Sequence, residues 1–221
     1  GATAVVETVE GIERISADGA VRDMPVEELG LYWPKGLAEN TRDWMLANLT
    51  VGTLGETLVS VAGRIDEETG FEAEAVKGSI GYENLSVQYI EGLPLVEGVN
   101  GRAEFDENSF DLFLETGRLS KLTLHEGTIN LKDLSGDTTG DFAFRVSGPI
   151  SDTLWVIDHD PLNYAKKLEV DPSDVQGDVA FDLNLSFPLI QSLLLDDIQI
   201  GVVADLSNIS WRQALLGLDA T

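Results

Sequence analysis

Gly177 to Phe187, GDVAFDLNLSF, carries the clearest pattern in the chain. Val179, Phe181, Leu183, Leu185 and Phe187 fall on one side, and Asp178, Ala180, Asp182, Asn184 and Ser186 on the other. Alternation at period two predicts a strand with one apolar and one wet face, whereas a helix would scatter the apolar residues around its axis. The same pattern recurs from Asp197 to Leu206, where Ile198, Ile200, Val202, Ala204 and Leu206 alternate with Gln199, Gly201, Val203 and Asp205. From Phe71 onward strands are expected every eight to twelve residues or so, the rhythm of an all-β meander. They include Leu85 to Tyr89, Gly101 to Phe105, Ser109 to Gly117, Leu119 to His125, Thr128 to Leu134 and Asp141 to Val146. Asp106-Glu107-Asn108 and Gly92-Leu93-Pro94 supply turns or breaks between them. Nearer the start, AVVETVE reads as a strand. A weaker pair, Gly11–Ile15 and Ala20–Met24, is set around a turn at Asp18-Gly19, and Thr57 to Ile65 reads as a further strand.

Two stretches change period. Between Tyr32 and Gly52, Leu37, Thr41, Trp44, Met45 and Leu49 repeat at helical spacing, with Asn40 or Thr41 as N-cap and Gly52 after the end. Between about 149 and 170, Gly148-Pro149 ends a strand, and Ser151 is placed to cap a short helix with Leu154, Trp155 and Ile157. Asp160-Pro161 opens another helix, with Tyr164, Ala165 and Leu168 on one face. No low-complexity linker divides the chain, so residues 1–221 are expected to form a single β-rich module with a helical insertion at about 149–170. Trp44 and Trp155, on apolar helix faces, are expected to anchor their helices on the sheet.

The strands outnumber the layers available to cover them. An apolar sheet face must be buried against something, and two or three short helices cover only part of a mainly β, mostly antiparallel sheet. A second sheet, curling of the sheet on itself, or a ligand must close the rest, and the residues alone leave these open.

Charge removes several function classes. With 14 Lys+Arg against 39 Asp+Glu the formal charge is −25, which opposes binding to nucleic acid and docking on an anionic membrane surface. Hydrophobic residues at 43% supply a core, so the acid reads as a solvated outer face rather than as disorder. There is no cysteine, which excludes disulfides and thiolate chemistry. Asp158-His159-Asp160 holds metal-ligand residue types, but three adjacent residues seldom converge on one ion, and the only other histidine is His125. An exposed turn with Asp160 as a helix cap is the plainer reading. Asp66-Glu67-Glu68 and Asp196-Asp197 read as polar turns. No nucleophile-elbow, Walker or dinucleotide glycine pattern is present, so no enzyme, cofactor or metal is expected. The first ten residues, GATAVVETVE, lack the basic and apolar regions of a signal peptide. The chain is therefore expected to be a piece of a longer one that carries any anchor or export signal elsewhere.

Tyr32-Trp33-Pro34-Lys35-Gly36-Leu37-Ala38, followed by Thr41-Arg42-Asp43-Trp44, resembles the opening signature of YhdP-like proteins of the AsmA superfamily. Gly92-Leu93-Pro94-Leu95-Val96-Glu97-Gly98-Val99-Asn100-Gly101, Gly148-Pro149 and Phe187-Pro188-Leu189 follow in the same order. The resemblance runs roughly from Leu31 to Trp211. It implies a section of a large Gram-negative envelope protein, tethered to the inner membrane through a region outside this chain and projecting into the periplasm. It also implies a twisted sheet curled into a groove, of the repeating β-groove type, whose apolar lining carries phospholipid acyl chains between the membranes alongside neighbouring groove segments. On that reading Phe110, Leu112, Leu114, Leu122, Leu124, Phe142, Phe144, Phe181, Leu183, Ile198 and Ile200 line the groove, and no catalytic residue is implied. The competing expectation is a closed β-sandwich that spaces or docks other envelope components without transporting anything.

Overall fold

A computed structural model of the chain describes residues 1–9, 12–33, 39–66, 70–89, 92–134, 136–159, 162, 164–167, 170–189 and 197–211. The alternating runs become β1 (Ala2–Val9), β2 (Ile12–Val21), a two-residue β3 (Met24–Pro25), β4 (Leu49–Asp66), β5 (Gly70–Val87) and β6 (Val96–Asp106). They continue as β7 (Ser109–Leu119), β8 (Leu122–Lys132), β9 (Thr139–Pro149), β10 (Val175–Pro188) and β11 (Gln199–Trp211). All belong to one antiparallel sheet in the order β1-β2-β4-β5-β6-β7-β8-β9-β10-β11, with β3 beside the start of β4. Neighbours in sequence are neighbours in space, whether a short turn or a helical segment joins them. The sheet does not close into a barrel, and β1 and β11 are its two edges.

The helices occur between strands that still pair. A 3-10 turn (Val26–Glu28), α1 (Leu29–Tyr32) and α2 (Glu39–Asn48) come between β2 and β4. The segment α3 (Ile150–Ile157), α4 (Tyr164–Lys167) and a 3-10 turn at Pro172–Asp174 lies between β9 and β10. The sheet is therefore continuous beneath both interruptions, and both pack on its apolar face at the same end of the strands. Met24, Val26, Leu29 and Met45 form one cluster with Leu54, Ile80, Tyr82, Leu85 and Val99, while Val156 covers Leu122, Leu124 and Val146. Asp152, a buried carboxylate on α3, accepts from Ser120 Oγ at 3.3 Å and Lys121 Nζ at 3.4 Å, tying the helix to the β7–β8 turn.

Most register shifts fall at that same end, in β4 before Thr57, β5 after Tyr82, β6 before Gly101, β8 at Leu124–Gly127 and β10 at Gln176–Asp178, while one in β4 at Ala62–Gly63 lies towards the other end. Each extra residue bends and twists its strand, so the helix-bearing end of the sheet is the more strongly curved. At Gly52 (φ +125°) and Gly177 (φ +123°) the bulged backbone takes values that residues with a Cβ rarely adopt.

Several local expectations are corrected. Asp18-Gly19 is no turn but the middle of β2, where Asp18 pairs with Thr3 and Ser60, and its carboxylate accepts from Ser60 Oγ at 2.6 Å. The helix expected through Leu49 ends at Asn48, because Leu49 opens β4 opposite Val87. Gly52 is thus a bulge residue, and Asn40 and Thr41 lie inside α2 rather than capping it. Pro149, not Ser151, occupies the N-cap of α3, without a side-chain bond. Leu119 ends β7, a turn at Ser120-Lys121 follows, and the break in pattern near 125–128 is a bulge within β8. Leu37, Asp160, Pro161 and Leu168 lie outside the described residues.

Candidate functional site

Cross-strand register decides which side chains share a face. Ile80, Ala103, Leu112, Ile129, Phe142, Leu185 and Ile200 stand opposite one another on seven successive strands, β5 to β11. One step towards the helices lies the row Tyr82, Gly101, Leu114, Gly127, Phe144, Leu183 and Val202. One step away lie Gly78, Phe105, Phe110, Leu131, Gly140 and Phe187. The same face extends through Val59 and Val61 of β4 and Ala17 of β2 to Ala4 of β1. A single apolar surface therefore crosses the whole sheet.

Its cover is uneven. Beneath the helices Leu54 is 1% exposed and Leu122 2%. In the central rows Ile80, Tyr82 and Ala103 belong to the buried cluster, most other side chains are half-buried with Leu112, Leu114 and Phe144 packed against the clusters, and at β11 Ile200 and Val202 are 54% and 55% exposed. At the strand ends away from the helices, Phe105 stacks on Phe110 (5.7 Å between centroids) and Phe142 on Phe187 (4.7 Å). The result is an apolar trough running across the strands, roofed along one side by helices.

The opposite face is wet and paired. Asn130 Nδ2 donates to Asp111 at 2.8 Å, Lys132 Nζ and Ser186 Oγ reach Asp141 at 3.0 and 2.8 Å, and Arg145 is forked onto Asp182 at 2.9 and 3.2 Å. Phe113, its largest apolar side chain, lies under the Arg102 guanidinium at 4.3 Å. Two shallow depressions, of about 390 and 340 Å³, also lie on this face. At the larger, Asn130, Asp141 and Ser186 already satisfy one another or Asp111, so the unfilled demand for contact is on the apolar side.

A family model described as YhdP protein matches residues 8–192, most of the chain and nearly the whole of the trough. The chain belongs to the YhdP family. No curated protein and no solved structure matches it. Membership implies a lipid-transport-related protein of the cell envelope. Among the described residues no helix is long and apolar enough to cross a membrane.

In this YhdP-family chain the residues expected to line a groove separate into three groups. Phe110, Leu112, Leu114, Phe142, Phe144, Phe181, Leu183 and Ile200 share the trough face. Leu122 and Leu124 share it too, but α3 seals them into a packed core, and Phe110, 6% exposed, is likewise buried, in the cluster with Ile80 and Ala103. Ile198 precedes β11. Ile129, Leu185 and Val202 complete the rows beyond the residues expected to line the groove, and the alternation around each is the signal that marks them.

The family signatures mark where helices meet the trough. Trp33 packs against the cluster under α1 and α2, and Gly148-Pro149 turns β9 into α3 beside Leu122. Trp44 and Trp155 do not anchor their helices, being 48% and 42% exposed; Met45 and Val156, one residue on, are the buried contacts. Trp155 instead stands edge-on to His159, whose Nδ1 lies 2.7 Å from the Trp155 carbonyl, while Asp158 accepts the Lys166 backbone N–H at 2.9 Å. Among the described residues no group of three or more potential ligands could hold a metal ion.

The wet face of this YhdP-family sheet makes an acid-sensitive contribution. The Ser186 hydroxyl and Lys132 hold Asp141 below the usual carboxylate range, and Arg145 does the same for Asp182. The Asn108 and Ser109 donors lower Asp106 at the β6–β7 turn. Because these folded-state values lie below the unfolded ones, their stabilisation is complete above the unfolded range and disappears as pH falls through the folded values. Thermal melting between pH 6 and 2 (a span of about four units around ordinary carboxylate values) is expected to show a falling midpoint only in its acid part. Asp141→Asn and Asp182→Asn are expected to flatten that fall.

Proposed function

We propose that this segment is a periplasmic section of a bridge-like phospholipid transporter, holding acyl chains in the trough on their way between the inner and outer membranes. The observation that supports it most is the mismatch between a trough face that crosses every long strand and helices that cover it along one side only. Family membership points to the same class of cargo. The mechanism is solvation, without a covalent step. Each methylene moved from water onto the lining is worth about 0.8 kcal/mol, so weak, repeated contacts along Leu112, Ile129, Phe142, Leu185 and Ile200 suffice. Headgroups stay in water at the open side and need no specific pocket.

The edges fit a longer trough. Every residue of β11 except Trp211 is exposed, as is every residue of β1 from Ala2 to Thr8, so both present unpaired backbone to a further strand. Neighbouring segments of the same protein, and through them an inner-membrane tether, are the proposed partners.

Native mass spectrometry of the chain purified from a phospholipid-containing host tests this reading. Co-purified phospholipid is expected. A lipid-free chain that also takes none from phospholipid vesicles would reassign it to the class of closed structural modules.

A further inference from the structure

The trough face contains glycines over which aromatic rings lie; Gly101 is also required by its backbone (φ +158°), whereas Gly78 and Gly127 are not. Gly78 stands opposite Phe105, Gly101 opposite Tyr82 and Gly127 opposite Phe144. A methyl group added at Gly78 would fall 2.5 Å from Phe105 Cζ, at Gly101 2.7 Å from Tyr82 Oη, and at Gly127 2.5 Å from Phe144 Cδ1. At Gly63 the ring is that of Phe71 on the neighbouring strand (2.7 Å), and at Gly140 it is that of Phe142, two residues along the same strand (2.6 Å). Non-bonded carbons prefer about 3.5–4.0 Å, so at Gly127 and Gly140 the ring lies where a side chain would otherwise be, while at Gly63, Gly78 and Gly101 a neighbouring-strand carbonyl oxygen, 2.2, 2.4 and 2.1 Å from the added methyl, bars a side chain as well. The wet face has no such arrangement: at Gly81 and Gly201 the nearest contacts are ordinary, at 3.7 and 3.8 Å, and neither involves a ring.

We propose that these glycines set the depth of the trough, by letting aromatic rings lie down against the sheet, and so set the bulk of acyl chain it admits. The proposal rests on the lipid-carrying reading above. A ring denied its glycine must stand up into the space offered to cargo, and a methyl-branched chain needs that space more than a straight one does.

The test compares uptake from vesicles of phosphatidylethanolamine with straight saturated chains and of phosphatidylethanolamine with methyl-branched chains, read by native mass spectrometry on the whole chain. The wild type is expected to take both. Gly127→Ala is expected to lower the branched-to-straight ratio about fourfold, the equivalent of one methylene denied an apolar contact. Adding Phe144→Leu to that variant, which removes the displaced ring, is expected to restore the ratio. If Gly127→Ala does not fold, Gly140→Ala with Phe142→Leu as its rescue gives the same readout, because the nearest atoms its methyl meets belong to the Phe142 and Leu189 side chains. A folded variant with an unchanged ratio, or a loss that Phe144→Leu, or Phe142→Leu for Gly140→Ala, does not rescue, overturns the proposal while leaving the transport reading intact. A wild type that takes up neither lipid overturns both.

Discussion

Leu112→Glu is expected to empty the trough of lipid and leave the sheet folded. Leu112 sits mid-row between Ala103 of β6 and Ile129 of β8, and it is half-buried. A carboxylate there faces two outcomes. If the trough is open, the side chain reaches water, the fold loses only the ordinary cost of a poor substitution, about 1–3 kcal/mol, and a hydrated charge interrupts the apolar track. Acyl methylenes passing it would then have to displace that water, and an unpaired charge away from water costs far more than the contacts return. If the face is instead sealed in a dry interior, the same charge is trapped and the chain unfolds. Phe144→Glu, one row nearer α3, is expected to act in the same way. Thermal melting and native mass spectrometry on both variants separate the cases. Folded protein with at least tenfold less bound phospholipid, roughly the 1.4 kcal/mol step in an equilibrium, is the expected result; unfolding, or a full lipid load, would sink the open trough.

The side chains that make this prediction possible were legible before the coordinates because alternation is a local property. Phe181, Leu183, Leu185 and Phe187 could share only one face of a strand, and β10 places them so. The pattern became harder to follow where bulges reset its phase. β4 and β5 run for 18 residues each, yet the first was recognised only from Thr57, because the shifts before that residue break the alternation. Asp18-Gly19 misled for a different reason. Both residues favour turns, but pairing on two sides outweighs local preference, and Asp18 finds a hydroxyl partner on β4. Helical spacing showed that α2 and α3 had apolar faces without showing which turned inward, so Trp44 and Trp155 were assigned to the sheet while Met45 and Val156 occupy that place. What covers a face is a long-range fact. Nothing in LTL at 122–124 distinguishes it from LFL at 112–114, but α3, some 30 residues further along by the order of elements, seals the first and leaves the second half-open.

That division between sealed and open parts of one surface predicts two kinds of apolar residue. Leu54, paired with Met24 on β3 and Tyr82 on β5, is in the cluster beneath α1 and α2 and is 1% exposed. Truncating it leaves a cavity that neighbours held from both the sheet and the helices cannot readily fill. Leu54→Ala is therefore expected to cost about 3–5 kcal/mol, the upper part of the range for buried leucines. Ile200 lies on the same face at 54% exposure, where water fills any space left by truncation and no cavity forms. Ile200→Ala is expected to cost under about 1 kcal/mol, in keeping with surface substitutions, and to show its effect in bound lipid instead. Urea denaturation monitored by circular dichroism measures both. A difference of at least about 2 kcal/mol between them is what a trough roofed along one side requires. Equal losses would mean that both positions are covered alike, because a residue contributes cavity energy only where protein surrounds it.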